Sequence, residues 1–218
     1  MYTAGKTGNP QTGLLAFIQS ALLLLVVLGI GGCSLSPPAA QQRGQANPLM
    51  QKRLHALKNW DIDGKLAVRT NHDSQSARLQ WQQTGERFDI HLSGPAGLHA
   101  SRIYGEPGDV VFERGEQKEH ATTAAALSEK LIGWPLPTVE LRYWLRGLPA
   151  PNLTVTQAAY LPNGNLTQLQ QNGWSIQFSA YQHFENKERG VLLLPGRIEA
   201  KHGNMRIILL IKHWNGLE

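Results

Sequence analysis

The sequence predicts a mostly β fold, an antiparallel meander curled into an incomplete barrel with short helices covering its concave side. Three observations support this prediction. Apolar and polar residues alternate along many short segments, as they do in antiparallel strands with one face exposed to water. Turn residues separate these segments at short intervals, so consecutive strands are joined as hairpins. Segments at the start and in the middle of the domain are predicted to be helices instead, and the concave side of the sheet is the natural place for them.

Composition narrows the possible classes of protein. The chain has 218 residues, with 21 Lys+Arg against 16 Asp+Glu, a formal net charge of +5 and a single cysteine. One cysteine excludes an intramolecular disulfide framework and any thiolate-rich zinc or iron–sulfur site. The amino-acid usage is not that of a collagen-like, coiled-coil or wholly disordered chain.

Residues 1–32 are predicted to be a lipoprotein signal peptide. The uninterrupted apolar run 21–30 has the length of a signal-peptide core and is too short to span a bilayer. Two glycines then precede Cys33, and this sequence resembles a bacterial lipobox. We expect cleavage before Cys33 and attachment of acyl chains to it. Two alternatives stay open: a secretory signal with an incidental cysteine, and an N-terminal anchor that is never cut.

The residues after Cys33 predict where the protein resides. In Gram-negative bacteria, an aspartate directly after the acylated cysteine usually marks retention in the inner membrane. This chain has Ser34 at that position, so we expect lipid anchoring at the periplasmic face of the outer membrane. Residues 33–46 are rich in Pro, Ala and Gln and are predicted to be the acylated cysteine and a flexible tether. Residues 47–218 are predicted to form the folded domain.

The first half of this domain is predicted to be one helix followed by hairpins. Asn47 is a suitable N-cap residue and Pro48 a suitable first helical residue. From Trp60 onward the period of the apolar residues changes to two. The apolar sets are Trp60, Ile62, Leu66 and Val68; Ala77, Leu79 and Trp81; and Phe88, Ile90 and Leu92, with further strands predicted over 98–104, 109–112 and 116–120.

The second half begins with two helices and returns to strands. Thr122 or Thr123 is predicted to cap a helix that ends at Gly133, and a second short helix is predicted to run to Gly147. Asn-Gly pairs at 163–164 and 172–173 predict hairpin turns. Strands are predicted over 174–181, 191–200 and 205–214, which brings the total to roughly ten. Residues 205–211 carry apolar side chains on both faces of the predicted strand, which predicts a central strand covered on both sides.

A curled sheet of this size can enclose a ligand cavity instead of a solid core. The alternative for every apolar residue on its inner face is ordinary core packing. The candidate cavity residues are Trp60, Ile62, Leu66, Val68, Trp81, Phe88, Ile90, Leu92, Trp134, Trp144, Trp174, Ile176 and Phe178.

No motif for catalysis or for binding a nucleotide or metal is found. The sequence contains no G-x-S-x-G, Walker A or H-E-x-x-H motif, and its histidines are scattered. Lys and Arg are dispersed, without the aromatic motifs of RNA-binding domains. We therefore expect no catalytic residue, no metal, no cofactor and no nucleic-acid partner.

Several short segments, taken together in their order and spacing, resemble the LolB family of outer-membrane lipoproteins. The resemblance covers nearly the whole domain, from about Leu49 to Trp214. The segments are Trp60-Asp61-Ile62-Asp63-Gly64-Lys65-Leu66-Ala67-Val68, Gly94-Pro95-Ala96-Gly97, Leu136-Pro137, Tyr143-Trp144-Leu145-Arg146-Gly147, Gln171-Asn172-Gly173-Trp174 and Leu194-Pro195.

This resemblance implies a function without chemistry. A member of the family accepts the acylated end of a lipoprotein cargo from a LolA-like periplasmic carrier and inserts it into outer-membrane lipid. The acyl chains would occupy an apolar cavity, and we expect a monomer. One alternative is an outer-membrane lipoprotein that binds another lipid or amphiphile. An enzyme acting on lipid would require a polar cluster with shifted pKa values inside the cavity.

The loop Pro95, Ala96, Gly97 and Leu98 departs from the family pattern. The family carries a leucine between proline and glycine in a protruding loop that assists membrane insertion, and the matching position here is Ala96. Either Leu98 supplies the exposed apolar side chain or the insertion function is weakened. A plain hairpin loop is the simpler interpretation of this segment.

Overall fold

The computed structural model describes residues 44–94, 100–186 and 190–217. Its helices and strands, in chain order, are α1 (Pro48–Ala56), β1 (Asn59–Arg69), β2 (Ser74–Thr84), β3 (Arg87–Ser93), β4 (Ser101–Glu106), β5 (Asp109–Arg114), β6 (Gln117–Ala121), α2 (Ala124–Ile132), α3 (Thr138–Trp144), β7 (Val155–Tyr160), β8 (Leu166–Gln171), β9 (Trp174–Ser179), β10 (Gln182–Asn186), β11 (Gly190–Leu194), β12 (Arg197–His202) and β13 (Met205–Asn215).

Eleven of these strands form one antiparallel sheet in the order β6-β5-β4-β3-β2-β1-β13-β12-β9-β8-β7. The sheet is two runs of hairpins joined where the first strand pairs with the last, β1 with β13. It does not close, because β6 and β7 remain its two edges. The predicted fold class, a mostly β incomplete barrel with short helices, is confirmed.

One face of the sheet, called the inner face from here on, is apolar across its width. The register places one buried residue from each of six neighbouring strands in a single row. That row is Trp214, Ile62, Trp81, Ile90, Ile103 and Phe112, and all six side chains are buried. Helical residues such as Leu54, Leu127 and Leu141 belong to the same core, so the helices cover this face.

The helix ends follow the predicted capping. The side chain of Asn47 accepts hydrogen bonds from the backbone N–H groups of Leu49 and Met50, each at 3.1 Å, and Pro48 opens α1. The Thr123 hydroxyl accepts from Ala126 N at 3.2 Å. Gly133 ends α2 with φ of 82°, a left-handed conformation that glycine adopts without strain. Within the described ranges, no helix is long and apolar enough to cross a membrane.

The prediction of a single strand over residues 191–200 is wrong. The segment is two strands: β11 pairs only with β10, whereas β12 pairs with β9 and β13. Pro195 lies at the break and has no N–H for a strand ladder. Gly196 instead donates to Ala180 O at 3.0 Å and accepts from Ile211 N at 2.8 Å, which turns the chain from one sheet to the other. This break and the additional strands bring the described total to thirteen.

The prediction for β13 is confirmed in one respect and wrong in another. The strand is central, since it pairs with β1 on one side and β12 on the other. It is not covered on both faces, because Leu210 is 38% exposed while its neighbours Leu209 and Ile211 are buried. The physical reason is that the described helices pack into the core on the inner face, to which Leu209 and Ile211 belong and Leu210 does not.

Several predicted segments lie outside the described residues. They are the signal peptide 1–32, Cys33 with most of the tether, and the loop residues Pro95, Ala96, Gly97 and Leu98. Gly44, near the end of the predicted tether, donates from its backbone N to Tyr160 O at 2.9 Å. A Cβ at Gly44 would collide with the carbonyl of Leu161, so this close approach of two backbones requires glycine.

Candidate functional site

An open cleft of about 370 Å³ lies on the inner face at the end of the sheet where β1, β3 and β5 finish and β2 and β4 begin. The β3–β4 connection, which contains the predicted insertion loop, belongs to the same end. We call this cavity the loop-end cleft. It is lined by Leu66, Val68, Gln75, Ser76, Ala77, Leu92, Gly94, Ser101, Arg114 and Trp134.

The floor of the loop-end cleft is apolar and its margin is polar. Leu66, Val68 and Leu92 are buried inner-face residues of β1 and β3. Trp134 follows the glycine that ends α2 and is 7% exposed. These four residues are among the candidate cavity residues of the sequence, and the fold brings them to one place. A concave apolar site with a few polar groups is the usual form of a ligand pocket.

Two hydrogen-bond donors of the loop-end cleft have no acceptor in the part of the chain that the structure describes. Arg114 follows Val110 and Phe112 at two-residue spacing on β5, so its side chain lies on the inner face, with the guanidinium carbon 5.3 Å from the centre of the Phe112 ring. Its Nε is buried without a hydrogen-bond partner among the described residues. The same holds for Nε1 of Trp134.

Sequence reasoning missed Arg114, because Arg114-Gly115 is typical of a turn. The available signal was the alternation along β5. Val110 and Phe112 occupy inward positions, so the next inward position carries a cation in an otherwise apolar series.

A second cleft, of about 350 Å³, lies toward the other end of β3. It is bounded by the start of α2, by α3 and by the β4–β5 turn, and we call it the helix-side cleft. Phe88 is half-buried there and is the one candidate cavity residue that lines it. Its other lining residues include Gln83, Glu86, Glu140 and Arg142, together with apolar residues such as Val110 and Val139.

The remaining candidate cavity residues line neither cleft. They pack in the hydrophobic core, where the Trp60 ring lies 5.6 Å from that of Trp81 and 5.4 Å from that of Trp214. Contact of these residues with acyl chains stays a prediction. They are Trp60, Ile62, Trp81, Ile90, Trp144, Trp174, Ile176 and Phe178.

Comparison with known proteins identifies the family. The family model described as "Outer membrane lipoprotein LolB" matches residues 58–214, which is most of the chain. The chain belongs to the LolB family. A LolB from Cellvibrio japonicus is 39% identical over 198 residues, covering 88% of this chain and 94% of the relative. One from Pseudomonas fluorescens (strain Pf0-1) is 34% identical, covering 91% and 96%.

Both relatives carry the name outer-membrane lipoprotein. They confirm the resemblance read from the sequence and the predicted outer-membrane localisation. Among solved structures, a LolA superfamily protein from Nitrosomonas europaea aligns with a TM-score of 0.48 at 8% identity, covering 80% of this chain and 94% of that one.

Two of the LolB-like segments meet in the core, and their polar atoms satisfy one another. Trp144 donates from Nε1 to Oε1 of Gln171 at 3.1 Å. The same oxygen accepts from Ala150 N at 2.9 Å, while Nε2 of Gln171 donates to Ala150 O at 2.7 Å. The Trp144 and Trp174 rings pack with their centres 5.5 Å apart. These residues therefore hold the helical segment to β8 and β9.

Arg146, from the LolB-like segment that contains Trp144, connects that segment to the end of α1 by hydrogen bonds. Its Nη1 donates to the carbonyls of Leu54 and Leu57 at 3.0 and 2.6 Å, and its Nε donates to Arg142 O at 3.0 Å. Burial lowers the pKa of Arg146 to about 10, so the side chain stays charged at neutral pH. The guanidinium thus satisfies carbonyls at the end of α1, where a helix has none of its own donors left.

The outer face carries a separate charge cluster. Glu199 is 8% exposed and contacts Arg206 at 2.7 Å, Arg197 at 3.2 Å and Lys201 at 3.2 Å. The hydrogen bond from Arg206, followed by the contact with Lys201, lowers the pKa of Glu199 to about 2. Glu199 lines neither cleft. Within residues 44–94, 100–186 and 190–217, no three His, Cys, Asp or Glu side chains are grouped as metal ligands.

Proposed function

We propose that this protein accepts acylated lipoproteins from a LolA-like periplasmic carrier and inserts them into the outer membrane, without making or breaking a covalent bond. The observation that carries the proposal is the loop-end cleft in a chain of the LolB family. Its floor of Leu66, Val68 and Leu92 offers hydrocarbon contacts to an acyl chain.

The size of the cleft suits a transient acceptor. Burial of each methylene contributes roughly 0.8 kcal/mol, so complete enclosure of three acyl chains would trap the cargo. A cleft of about 370 Å³ is near the lower limit of ordinary ligand pockets. It holds part of the acyl moiety and leaves the rest accessible to the membrane, which allows both uptake and release.

The position of the cleft links uptake to delivery. Gly94 and Ser101 line it and also flank the β3–β4 connection that contains Leu98. Cargo held there would be next to the loop proposed to enter the bilayer. Residues 1–32 would be removed as a signal peptide, and acylated Cys33 with the tether would hold the domain at the periplasmic face of the membrane. Three acyl chains on Cys33 would make desorption negligible.

The transfer reaction tests this proposal directly. The mature chain, residues 33–218 with Cys33→Ala to prevent acylation, is mixed with a carrier loaded with one triacylated lipoprotein. Pull-down of each protein then shows where the cargo resides. Movement of the cargo to this chain is the expected result, and the same cargo without acyl chains is the control. Cargo that stays on a carrier shown to be competent would contradict the proposal.

A further inference from the structure

The two unpartnered donors of the loop-end cleft have a common explanation. We propose that Arg114 and Trp134 bind the ester carbonyl oxygens of the diacylglyceryl group on the cargo's modified cysteine. This inference rests on the proposed function, because it assigns a polar subsite to the same acyl-binding cleft. It makes Arg114 and Trp134 the residues that set how deeply a cargo lipid enters.

Unpartnered buried donors are unusual and require an explanation. The large majority of buried side-chain polar atoms in native proteins have a hydrogen-bond partner. Arg146 donates to three carbonyls and Arg102 pairs with Asp89. Arg206 also has a buried Nε without a partner among the described residues, but its Nη2 donates to Glu199 at 2.7 Å, so its charge is paired. Arg114 lies against the Phe112 ring, and its buried Nε has no hydrogen-bond partner among the described residues. A carbonyl oxygen of a bound lipid can therefore accept a hydrogen bond from this guanidinium.

The surroundings of the donors indicate which oxygen they bind. An acyl ester joins a hydrocarbon chain directly to a carbonyl acceptor, and the cleft places Leu66, Val68 and Leu92 beside one cationic and one neutral donor. A phosphate in the same place would face a single cation and much apolar surface, and transfer of such an anion from water is costly. The arrangement therefore favours neutral carbonyls over a lipid phosphate.

Two other tryptophans provide a useful contrast. Nε1 of Trp60 and of Trp214 also lacks a partner among the described residues. Their rings pack against each other, however, and neither lines the loop-end cleft. An unpartnered indole nitrogen alone is therefore not a ligand site, and Trp134 differs because a cation and an open apolar cleft accompany it.

The test compares an ester lipid with its ether counterpart. The probes are a dipalmitoylglyceryl-cysteine lipopeptide and the same lipopeptide with two alkyl ether chains, which lack the carbonyls. Binding is measured on the mature Cys33→Ala chain. The ester probe is expected to bind about tenfold more tightly than the ether probe, the ratio typical of a hydrogen bond to a charged group. This wild-type comparison requires no variant to fold.

Variants then assign the preference to residues. Arg114→Met and Trp134→Phe are each expected to weaken ester binding about five- to tenfold while leaving ether binding unchanged. Arg78→Met, which removes an exposed outer-face cation, and Trp214→Phe, which removes an unpartnered indole elsewhere, should leave the ester-to-ether ratio unchanged. A ¹³C-labelled ester carbonyl should also show a lower stretching frequency when bound to wild type than when bound to Arg114→Met.

Three results would overturn the inference. The first is equal binding of ester and ether probes to wild type. The second is an equal loss of both probes in the variants, which indicates a packing role. The third is tighter binding of short-chain phosphatidylglycerol than of the lipopeptide, lost in Arg114→Met, which would identify a phosphate site. If wild type prefers the ester but takes no cargo from a competent carrier, the proposed function fails while the carbonyl subsite stands.

Discussion

Two regions of the domain differ in whether their buried polar atoms have hydrogen-bond partners. We call the region of Trp144, Arg146, Gln171 and Trp174 the packed end. There, the named indole, amide and guanidinium groups of Trp144, Gln171 and Arg146 donate to carbonyl or amide oxygens within the fold. In the loop-end cleft, Arg114 and Trp134 each have a donor without an acceptor among the described residues. Satisfied polar atoms indicate architecture, and unsatisfied ones beside open volume indicate a binding site.

The residues that carry the family resemblance are not the residues that form the proposed polar subsite. The segment that resembles LolB most specifically, residues 144–147, lies at the packed end, and Trp144 with Gln171 holds the helical segment to the sheet. Arg114, on which the polar subsite depends, is in none of the LolB-like segments. A family motif is thus informative about fold even where it does not touch the ligand.

The largest expected effect is a loss of stability at the packed end. Gln171→Leu removes the partner of Trp144 Nε1 and both partners at Ala150, leaving three buried polar groups unsatisfied. We expect the free energy of unfolding to fall by about 3 kcal/mol. Urea denaturation measures it. Gln168→Leu, at an exposed position on the same strand, is the control, with an expected change within about 0.5 kcal/mol. A fall of under about 1 kcal/mol in Gln171→Leu would show that the network is unimportant.

The second prediction distinguishes the two clefts. Ala77→Trp fills the loop-end cleft, whereas Ala125→Trp fills the helix-side cleft. A tryptophan that fills the acyl-binding cleft would remove contacts with two or more methylenes of the bound acyl chain. This loss corresponds to about a tenfold decrease in affinity for acylated cargo. We expect this decrease for Ala77→Trp alone, measured by transfer from the loaded carrier. The reverse pattern would move the acyl site to the helix-side cleft.

The third prediction concerns delivery rather than acceptance. Leu98→Glu places a carboxylate at the loop proposed to enter the bilayer, where a charge is expensive. We expect insertion of labelled lipoprotein into liposomes to slow about fivefold, with uptake from the carrier unchanged. Ala96→Leu, which restores the family's loop residue, should insert at least as fast as wild type. Wild-type delivery by Leu98→Glu would exclude this leucine from the insertion step.

The smallest expected effect lies on the outer face, which belongs to neither region. The pKa of Glu199 in the folded chain is about 2, below its ordinary value of 4.5. Its contribution to stability is therefore complete above pH 4.5 and is lost as the pH falls toward 2. Because its cationic partners are partly exposed, Glu199→Gln should cost roughly 0.5–1 kcal/mol at pH 7 and close to nothing at pH 2. Denaturation at both pH values measures the difference, and a pH-independent cost would contradict the assignment.

Short-range patterns were sufficient for most of the secondary structure. Asn47 and Thr123 were identified as helix caps because capping depends on residues within one turn. Alternation identified the inward residues of β1, β2 and β3 because side chains point to opposite faces of a strand in turn. The strand break at Pro195-Gly196 was not predicted. It depends on hydrogen bonds of Gly196 with Ala180 and Ile211, which are more than ten residues away in the chain.

The sequence by itself determined the class of fold, the apolar inner face, the family and the expected lipid anchor, because periodicity, capping residues and motif order are local properties. Only the tertiary structure decided which apolar residues are core and which line a cleft. Leu66 and Trp60 occupy equivalent inward positions on one strand, yet Leu66 lines the loop-end cleft while Trp60 packs against Trp81 and Trp214. Whether an inward residue is buried depends on which side chains from other elements pack against it. Those contacts follow from pairings such as that of β1 with β13, whose residues are distant in sequence.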